Sequence, residues 1–272
     1  MFVTRLISGI ILVLIELVTL YFSGLPLAAF LLFISLVGYL EITKTMQVRK
    51  ENEKLNAFEM IGLTGTLAYY IVMYFTGFNV YLVLVGMATF LIIMSTYVFG
   101  FLKFHANQVA PSVVAFVYVP VCLSFIYATR ELEYGIYLVW LILICSWGCD
   151  TCAYCVGVLF GKHKMAPVLS PKKSIEGAVG GVIGAAGLGA LFGWFVTSRV
   201  DAPANFIFLF AIISAVGALI SMVGDLAASG IKRNYDVKDY GKLIPGHGGV
   251  MDRFDSVIFA APIIYFLAMI LI

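Results

Sequence analysis

Acidic, basic and glycine residues crowd into three stretches of this chain that are otherwise framed by apolar sequence. They are WGCDTCAY, which holds Asp150, then GKHKMAPVLSPKKSIEG at 161–177, then GDLAASGIKRNYDVKDYGKLIPGHGGVMDRFDS at 224–256. Asp225, Ser229 and Lys232 recur at i, i+4 and i+7, and Asp252 and Asp255 at i, i+3, so each set falls on one face of a helix. Carboxylates with hydroxyls and few soft ligands form the hard-oxygen set of Mg²⁺, which keeps waters for substrate phosphates. The lysines and arginines suit a polyphosphate. PGHGG, running into a helix N-terminus, offers backbone N–H groups to phosphate oxygens. Together these features point to metal-assisted phosphoryl or nucleotidyl transfer. Basic loops that merely set topology would account for the lysines but not for aspartates inside apolar segments. His247 alone does not make a zinc site, which needs further nitrogen or sulfur ligands.

The elements that must position these groups are membrane helices. Of the 272 residues, 62% are hydrophobic and only 12% charged, against about 25% charged in ordinary soluble domains. Apolar runs long enough to cross a bilayer recur throughout. They are expected at 6–23, 25–42, 58–76, 79–101, 110–129, 134–158, 176–197, 204–228 and 254–272. The fold class is therefore all-α, a polytopic integral membrane protein with about nine transmembrane helices. Residues 1–129 form N-terminal transmembrane helices and 130–272 a C-terminal transmembrane catalytic region with cytoplasmic loops. Of the 17 lysines and arginines, all but Arg130 and Arg199 fall in connections on one side. The positive-inside rule makes that side cytoplasmic, with the N-terminus there and the C-terminus external. In this threading Asp225 and Asp252 lie near the cytoplasmic boundary. Asp150, eight residues before the end of its span, lies roughly 12 Å deeper at 1.5 Å per residue. The first run follows a short basic start but no convincing cleavage site, and it is kept as a helix. The charged connection 43–56 is expected to be a solvated topology anchor.

Other features carry weaker signals. Cys149, Cys152 and Cys155 have C-x-x-C-x-x-C spacing, which can suggest an iron–sulfur site. Within a helix, with no fourth ligand, they are expected to be small packing residues, with no disulfide framework. Gly177, Gly180, Gly181 and Gly184, like Gly157 and Gly161, give small-x-x-x-small stripes that bring helices close in lipid. Glu16 lies mid-span, where a charge is costly and a partner is expected.

Residues 229–255 carry a longer pattern. It opens with Ser229 and the pair Lys232 and Arg233, followed by Lys238, Asp239 and Gly241. Pro245, His247, Gly248 and Gly249 come next, and Asp252, Arg253 and Asp255 close it. This resembles the C-terminal signature of the phosphatidate cytidylyltransferase (CDP-diacylglycerol synthase) family. SPKKSIEG at 170–177 resembles that family's Ser-Pro-Lys-Lys-Thr-x-Glu-Gly. Asp150, Thr151, Ala153 and Tyr154 match its Asp-Thr-x-Ala-Tyr. Tyr240 and Ser174 depart from the common serine and threonine, and the N-terminal half agrees only in its hydrophobic spans.

The resemblance implies that CTP and phosphatidic acid give CDP-diacylglycerol and pyrophosphate, in phospholipid biosynthesis at a bacterial inner membrane. It implies catalytic roles for Asp225, Lys232, Arg233, Asp252, Arg253 and Asp255. Substrate contacts would come from Ser170, Lys172, Lys173, Ser174, Glu176, Ser229, Lys238, Asp239, Gly246, His247, Gly248 and Gly249. Mg²⁺ would be held by Asp225, Asp252 and Asp255 with Asp150 as a deeper ligand or a ligand's partner, a second metal ion being left open. A homodimer in the lipid bilayer is expected, and no nucleic-acid partner. A CTP-dependent lipid-alcohol kinase is the near rival, separated by whether CDP-lipid or free CDP is formed. CDP-alcohol phosphotransferases lack support, because their Asp-Gly-x-x-Ala-Arg motif is absent. A secondary transporter would place its binding groups near the midplane of repeated, broken helices, whereas these charges gather at one interface.

Overall fold

The structure is a computed structural model. It describes residues 2–49, 54–201 and 203–272, with side chains from residue 7 onward. Lys50 and the side chain of Arg5, both assigned above to the cytoplasmic side, lie outside the described residues. Nine helices account for nearly all of the described chain: α1 (Phe2–Phe22), α2 (Gly24–Thr45), α3 (Ala57–Thr76), α4 (Val80–Phe99), α5 (Ala106–Arg130), α6 (Gly135–Phe160), α7 (Ile175–Thr197), α8 (Phe206–Asn234) and α9 (Met251–Leu271). All but α1 are long and apolar enough over their described length to cross a membrane, and α1 is apolar over Ile7–Phe22. Helices are the expected answer to such runs, because a backbone in lipid must satisfy its own polar groups.

Three differences from the expected boundaries matter for the site. Helix α8 continues to Asn234, so Asp225, Ser229 and Lys232 do share a helix. Helix α9 begins at Met251, which places Asp252 in its first turn. Between α6 and α7 lies a small antiparallel hairpin, β1 (Lys164–Ala166) and β2 (Ser170–Ser174), pairing Lys164 with Ser174 and Ala166 with Ser170. Five-residue repeats of wider helical turn interrupt α5 at Val117–Val121 and α6 at Ile144–Gly148. In α5 the cause is Pro120, which has no N–H to donate. In α6 the wide turn immediately precedes Asp150, and such turns recur at functional sites.

The chain divides into two compact units. Met1–Ala128 joins Asn234–Arg253, and Thr129–Arg233 joins Phe254–Ile272. The glycine-rich loop thus clusters with the N-terminal helices.

In the first unit, buried tyrosines tie the helices through their hydroxyls. The hydroxyls of Tyr70 and Ser35 lie 2.8 Å apart, Tyr70 reaches the Pro120 carbonyl at 3.2 Å, and Tyr39 donates to the Phe58 carbonyl at 3.2 Å. Asn56 caps α3 by accepting the Glu59 N–H at 2.9 Å, and Glu59 returns a bond to the Asn56 N–H at 3.1 Å. This reciprocal cap satisfies two orphan donors. The connection before it, expected to be a solvated anchor, is exposed at Lys54 and Leu55 and packed at Val48 and Arg49, while residues 50–53 lie outside the described residues. Val48 is fully buried, and its carbonyl accepts from Asn56 and Gln108, each at 2.8 Å. Arg49 pairs with buried Glu59 at 3.4 Å.

In the second unit the glycine stripe does what its spacing implies. A side chain at Gly181 would stand 3.0 Å from Ala153 Cβ and 3.1 Å from the Cys149 carbonyl, and one at Gly184 would strike Cys152. Helices α6 and α7 therefore approach to backbone contact. Cys149 and Cys152 are free thiols packed into this contact, and Cys155 is a free thiol on the exposed side. Glu16, in α1, is buried, and its Oε2 has no hydrogen-bond partner among the described residues.

Candidate active site

The second unit gathers most of the acidic cluster. Asp150 comes from α6, just past the wide turn. Asp225 comes from α8, where its carboxylate pairs with Lys173 of β2. Asp255, in α9, is 9% exposed, and its Oδ1 accepts the Ser256 N–H at 2.8 Å. The charges of Asp225, Lys232 and Asp150 act on Asp255, and those of Lys173 and Asp225 act on Asp150. Four elements thus bring three carboxyl groups and two ammonium groups into mutual range. Among the described residues no three His, Cys, Asp or Glu side chains converge as a formed metal site. The buried Lys173 ammonium supplies positive charge among these carboxylates instead.

The hairpin sorts its residues by the two-residue period of a strand. Lys173 turns inward to Asp225, while Lys172 is exposed. Ser174 ends β2 and caps α7, its hydroxyl accepting the Gly177 N–H at 3.1 Å. Serine therefore serves this cap as threonine would. Glu176 turns toward the base of the hairpin. Its Oε2 accepts the N–H groups of Lys162 and His163, each at 3.1 Å, and its Oε1 lies 2.6 Å from His163 Nδ1. Ser170 is half-buried in β2. The structure thus gives Ser174 and Glu176 folding roles at the positions assigned above to substrate. Ser229 and Lys232 are half-buried on α8, and Arg233 is exposed near its end.

The first unit holds the glycine turn. The Ile244 N–H donates to the Gly248 carbonyl and the His247 N–H to the Ile244 carbonyl, each at 2.9 Å. Gly246 and Gly248 have φ of +77° and +88°, a left-handed region that glycine enters without steric cost. The Ser8 hydroxyl donates to the Pro245 carbonyl at 2.9 Å and lies 3.0 Å from His247 Nδ1. Because the single hydroxyl proton is used on Pro245, Nδ1 must be the donor to Ser8. Arg253 Nε donates to the His247 carbonyl at 3.2 Å. Lys238 and Asp239 are exposed, and Tyr240 is buried.

Two carboxylates fill the backbone donors of this turn. Asp252 Oδ2 accepts the N–H groups of Tyr240 at 2.8 Å and Gly249 at 2.9 Å. Glu41, near the end of α2, accepts the Val250 N–H at 3.1 Å through Oε1 and the Met251 N–H at 2.8 Å through Oε2. Of the glycine donors of PGHGG expected to meet phosphate, the Gly249 N–H is taken by Asp252 in this structure. The N–H groups of Gly249, Val250 and Met251 are satisfied from within, because helix-start donors left unpaired in a buried setting are costly. Glu41 was not visible as a site residue. It is one carboxylate closing an apolar run, about 200 residues before the turn it serves, and no spacing rule links the two.

Comparison with known proteins agrees with the whole chain. The model of the cytidylyltransferase family matches residues 3–271. Phosphatidate cytidylyltransferase of Bacillus subtilis is 28% identical over 270 residues, covering 97% of this chain and 96% of that protein. The protein of the same name from Staphylococcus epidermidis is 31% identical over 264 residues, 96% of each chain. That of Staphylococcus haemolyticus is 36% identical over 162 residues, 60% of each.

Proposed function

The chain belongs to the cytidylyltransferase family, and we propose that it is a phosphatidate cytidylyltransferase, converting CTP and phosphatidic acid to CDP-diacylglycerol and pyrophosphate. A phosphate oxygen of the lipid attacks the α-phosphorus of CTP, a P–O bond forms there, and the bond to the departing pyrophosphate breaks. No protein nucleophile is needed, so catalysis is positioning and charge stabilisation. The observation that carries this reading is the Lys173–Asp225 ion pair in an apolar chain, with Asp150, Asp255 and Lys232 of the same unit near enough for their charges to act on one another.

The hard oxygens of these carboxylates are the donor type that suits Mg²⁺, although among the described residues no three acidic side chains converge as a formed site. Asp150, Asp225 and Asp255 would hold it, and the metal would neutralise phosphate charge and stabilise the leaving pyrophosphate. Lys172, Lys232 and Arg233, in the same unit as this cluster, provide cations for substrate phosphates. Asp252, with Oδ2 engaged by two N–H groups, holds the glycine turn. The basic connections face the cytoplasm, where CTP is found, with the C-terminus on the far side of the bacterial inner membrane. The enzyme works as a homodimer in the bilayer.

The test is purified protein given CTP, phosphatidic acid and Mg²⁺, with CDP-lipid and pyrophosphate measured together. Equal amounts of both are expected. Free CDP with a phosphorylated lipid alcohol would instead establish the kinase chemistry.

A further inference from the structure

We propose that Glu41 is a positioning residue that holds the glycine turn and the start of α9 in working geometry. For its catalytic consequence this rests on the activity proposed above. Glu41 is 8% exposed, and each of its oxygens receives one N–H from the start of α9, at 3.1 Å from Val250 and 2.8 Å from Met251. A carboxylate there satisfies two orphan donors and complements the positive end of the helix dipole. The surrounding sequence is shaped to it. A side chain at Gly241 or at Gly249 would strike the Glu41 carboxylate, and neither glycine has a positive φ. Space, rather than backbone conformation, requires glycine at these two positions. That separates them from Gly246 and Gly248, which the turn itself requires.

The neighbouring donors complete the arrangement. Asp252 takes the N–H groups of Tyr240 and Gly249, and its charge acts on Glu41. Two carboxyl groups are thus held side by side, each by two backbone donors. Removing Glu41 would free the first turn of α9, which carries Asp252 and Arg253, and through Arg253 would loosen the bond to His247. Glu41 touches no substrate in this scheme. It fixes the segment from which His247, Asp252 and Arg253 project, and it reserves the helix-start donors for the protein itself. Substrate phosphates are then bound by side chains rather than by the Val250 and Met251 N–H groups.

The experiment compares full-length wild type, Glu41→Gln, Glu41→Ala, Gly249→Ala and Glu41→Ala/Gly249→Ala in nanodiscs. Hydrogen exchange over residues 240–253 is measured beside CDP-lipid formation per folded molecule. Glutamine keeps the size of Glu41 but turns an NH₂ donor toward a backbone donor, so one bond is lost. Exchange in this segment is expected to rise at least tenfold, and kcat to fall at least tenfold, with the KM for CTP changing less than threefold. Gly249→Ala alone should cost at least thirtyfold in kcat. In the Glu41→Ala background it should cost under threefold, because the clashing carboxylate is gone. Unchanged exchange in Glu41→Gln, or faster exchange with kcat within twofold of wild type, would overturn the proposal. So would independent, multiplicative effects in the double variant. If Glu41→Gln does not fold, Gly241→Ala crowds the same carboxylate, and normal kcat in that variant overturns the proposal equally. A wild type that makes no CDP-lipid, with exchange still dependent on Glu41, would refute the proposed activity and leave the positioning contact standing.

Discussion

Asp225→Asn and Asp252→Asn should fail in different ways, because the structure gives the two carboxylates different partners. Asp225 pairs with Lys173 amid the charges of Asp150 and Asp255, while Asp252 Oδ2 binds two backbone N–H groups. Asparagine at 225 keeps the shape, removes one of three carboxylates and leaves Lys173 without its counter-ion. The side chains of this pair are 25% and 24% exposed, between the surface and buried cases, so its loss should cost about 2 kcal/mol of stability. Turnover should drop roughly 100-fold, about 2.7 kcal/mol, as for the loss of one charge-stabilising group. The Mg²⁺ concentration for half-maximal rate should rise at least fivefold. At 252 the amide oxygen can still accept, but without the charge that makes such bonds worth about 1.5–3 kcal/mol. Turnover should fall there too, with the Mg²⁺ midpoint unchanged within twofold. The assay is CDP-lipid and pyrophosphate formation across a Mg²⁺ titration, at matched amounts of folded protein. Asp201→Asn, at an exposed position, serves as the silent control. Equal Mg²⁺ midpoints for Asp225→Asn and wild type would refute the assignment of Asp225 to the metal. Equal rates for Asp225→Asn and Asp201→Asn would remove the acidic cluster from the chemistry altogether.

Three further outcomes follow from other parts of the molecule. Cysteines introduced at the exposed positions 172 and 242 should react with an impermeant reagent only from the cytoplasmic side, and one at 272 only from outside; labelling of 242 from outside would reverse the orientation. Lys172→Ala and Lys232→Ala should each lower the rate at subsaturating CTP by about tenfold while membrane insertion stays normal, and near wild-type rates in both would make these lysines topological only. Gly181→Leu should reduce the yield of folded protein sharply, since overpacking costs about 1–3 kcal/mol or more and the nearest atoms include helix backbone. Gly187→Ala, with nothing within 4 Å of the added carbon, should be tolerated, and equal loss in both would remove close helix approach as the reason for the stripe.

Composition and periodicity settled the architecture, because a backbone crossing lipid has so few ways to satisfy itself. Nine apolar runs were legible, and so was the packing role of Gly181, Gly184 and Cys149. Residue types and i, i+4, i+7 spacing also picked out Asp225, Ser229 and Lys232, since a helix turns spacing directly into a shared face. Spacing could not show what a charged group would meet across the chain. Lys173 and Asp225 are about 50 residues apart and become an ion pair only when β2 lies beside α8 in the folded unit. Glu176 carried the look of a substrate residue, and in the fold its carboxylate meets the His163 ring and the N–H groups of Lys162 and His163 just before the hairpin. The glycines of 241–249 looked alike in sequence, and tertiary structure divided them. Gly246 and Gly248 answer to backbone torsion, while Gly241 and Gly249 answer to a carboxylate brought in by a different helix. Local sequence fixes local geometry and the solvent it suits. Which carboxylate fills which donor depends on a desolvated contact between distant segments, and only packing creates that contact.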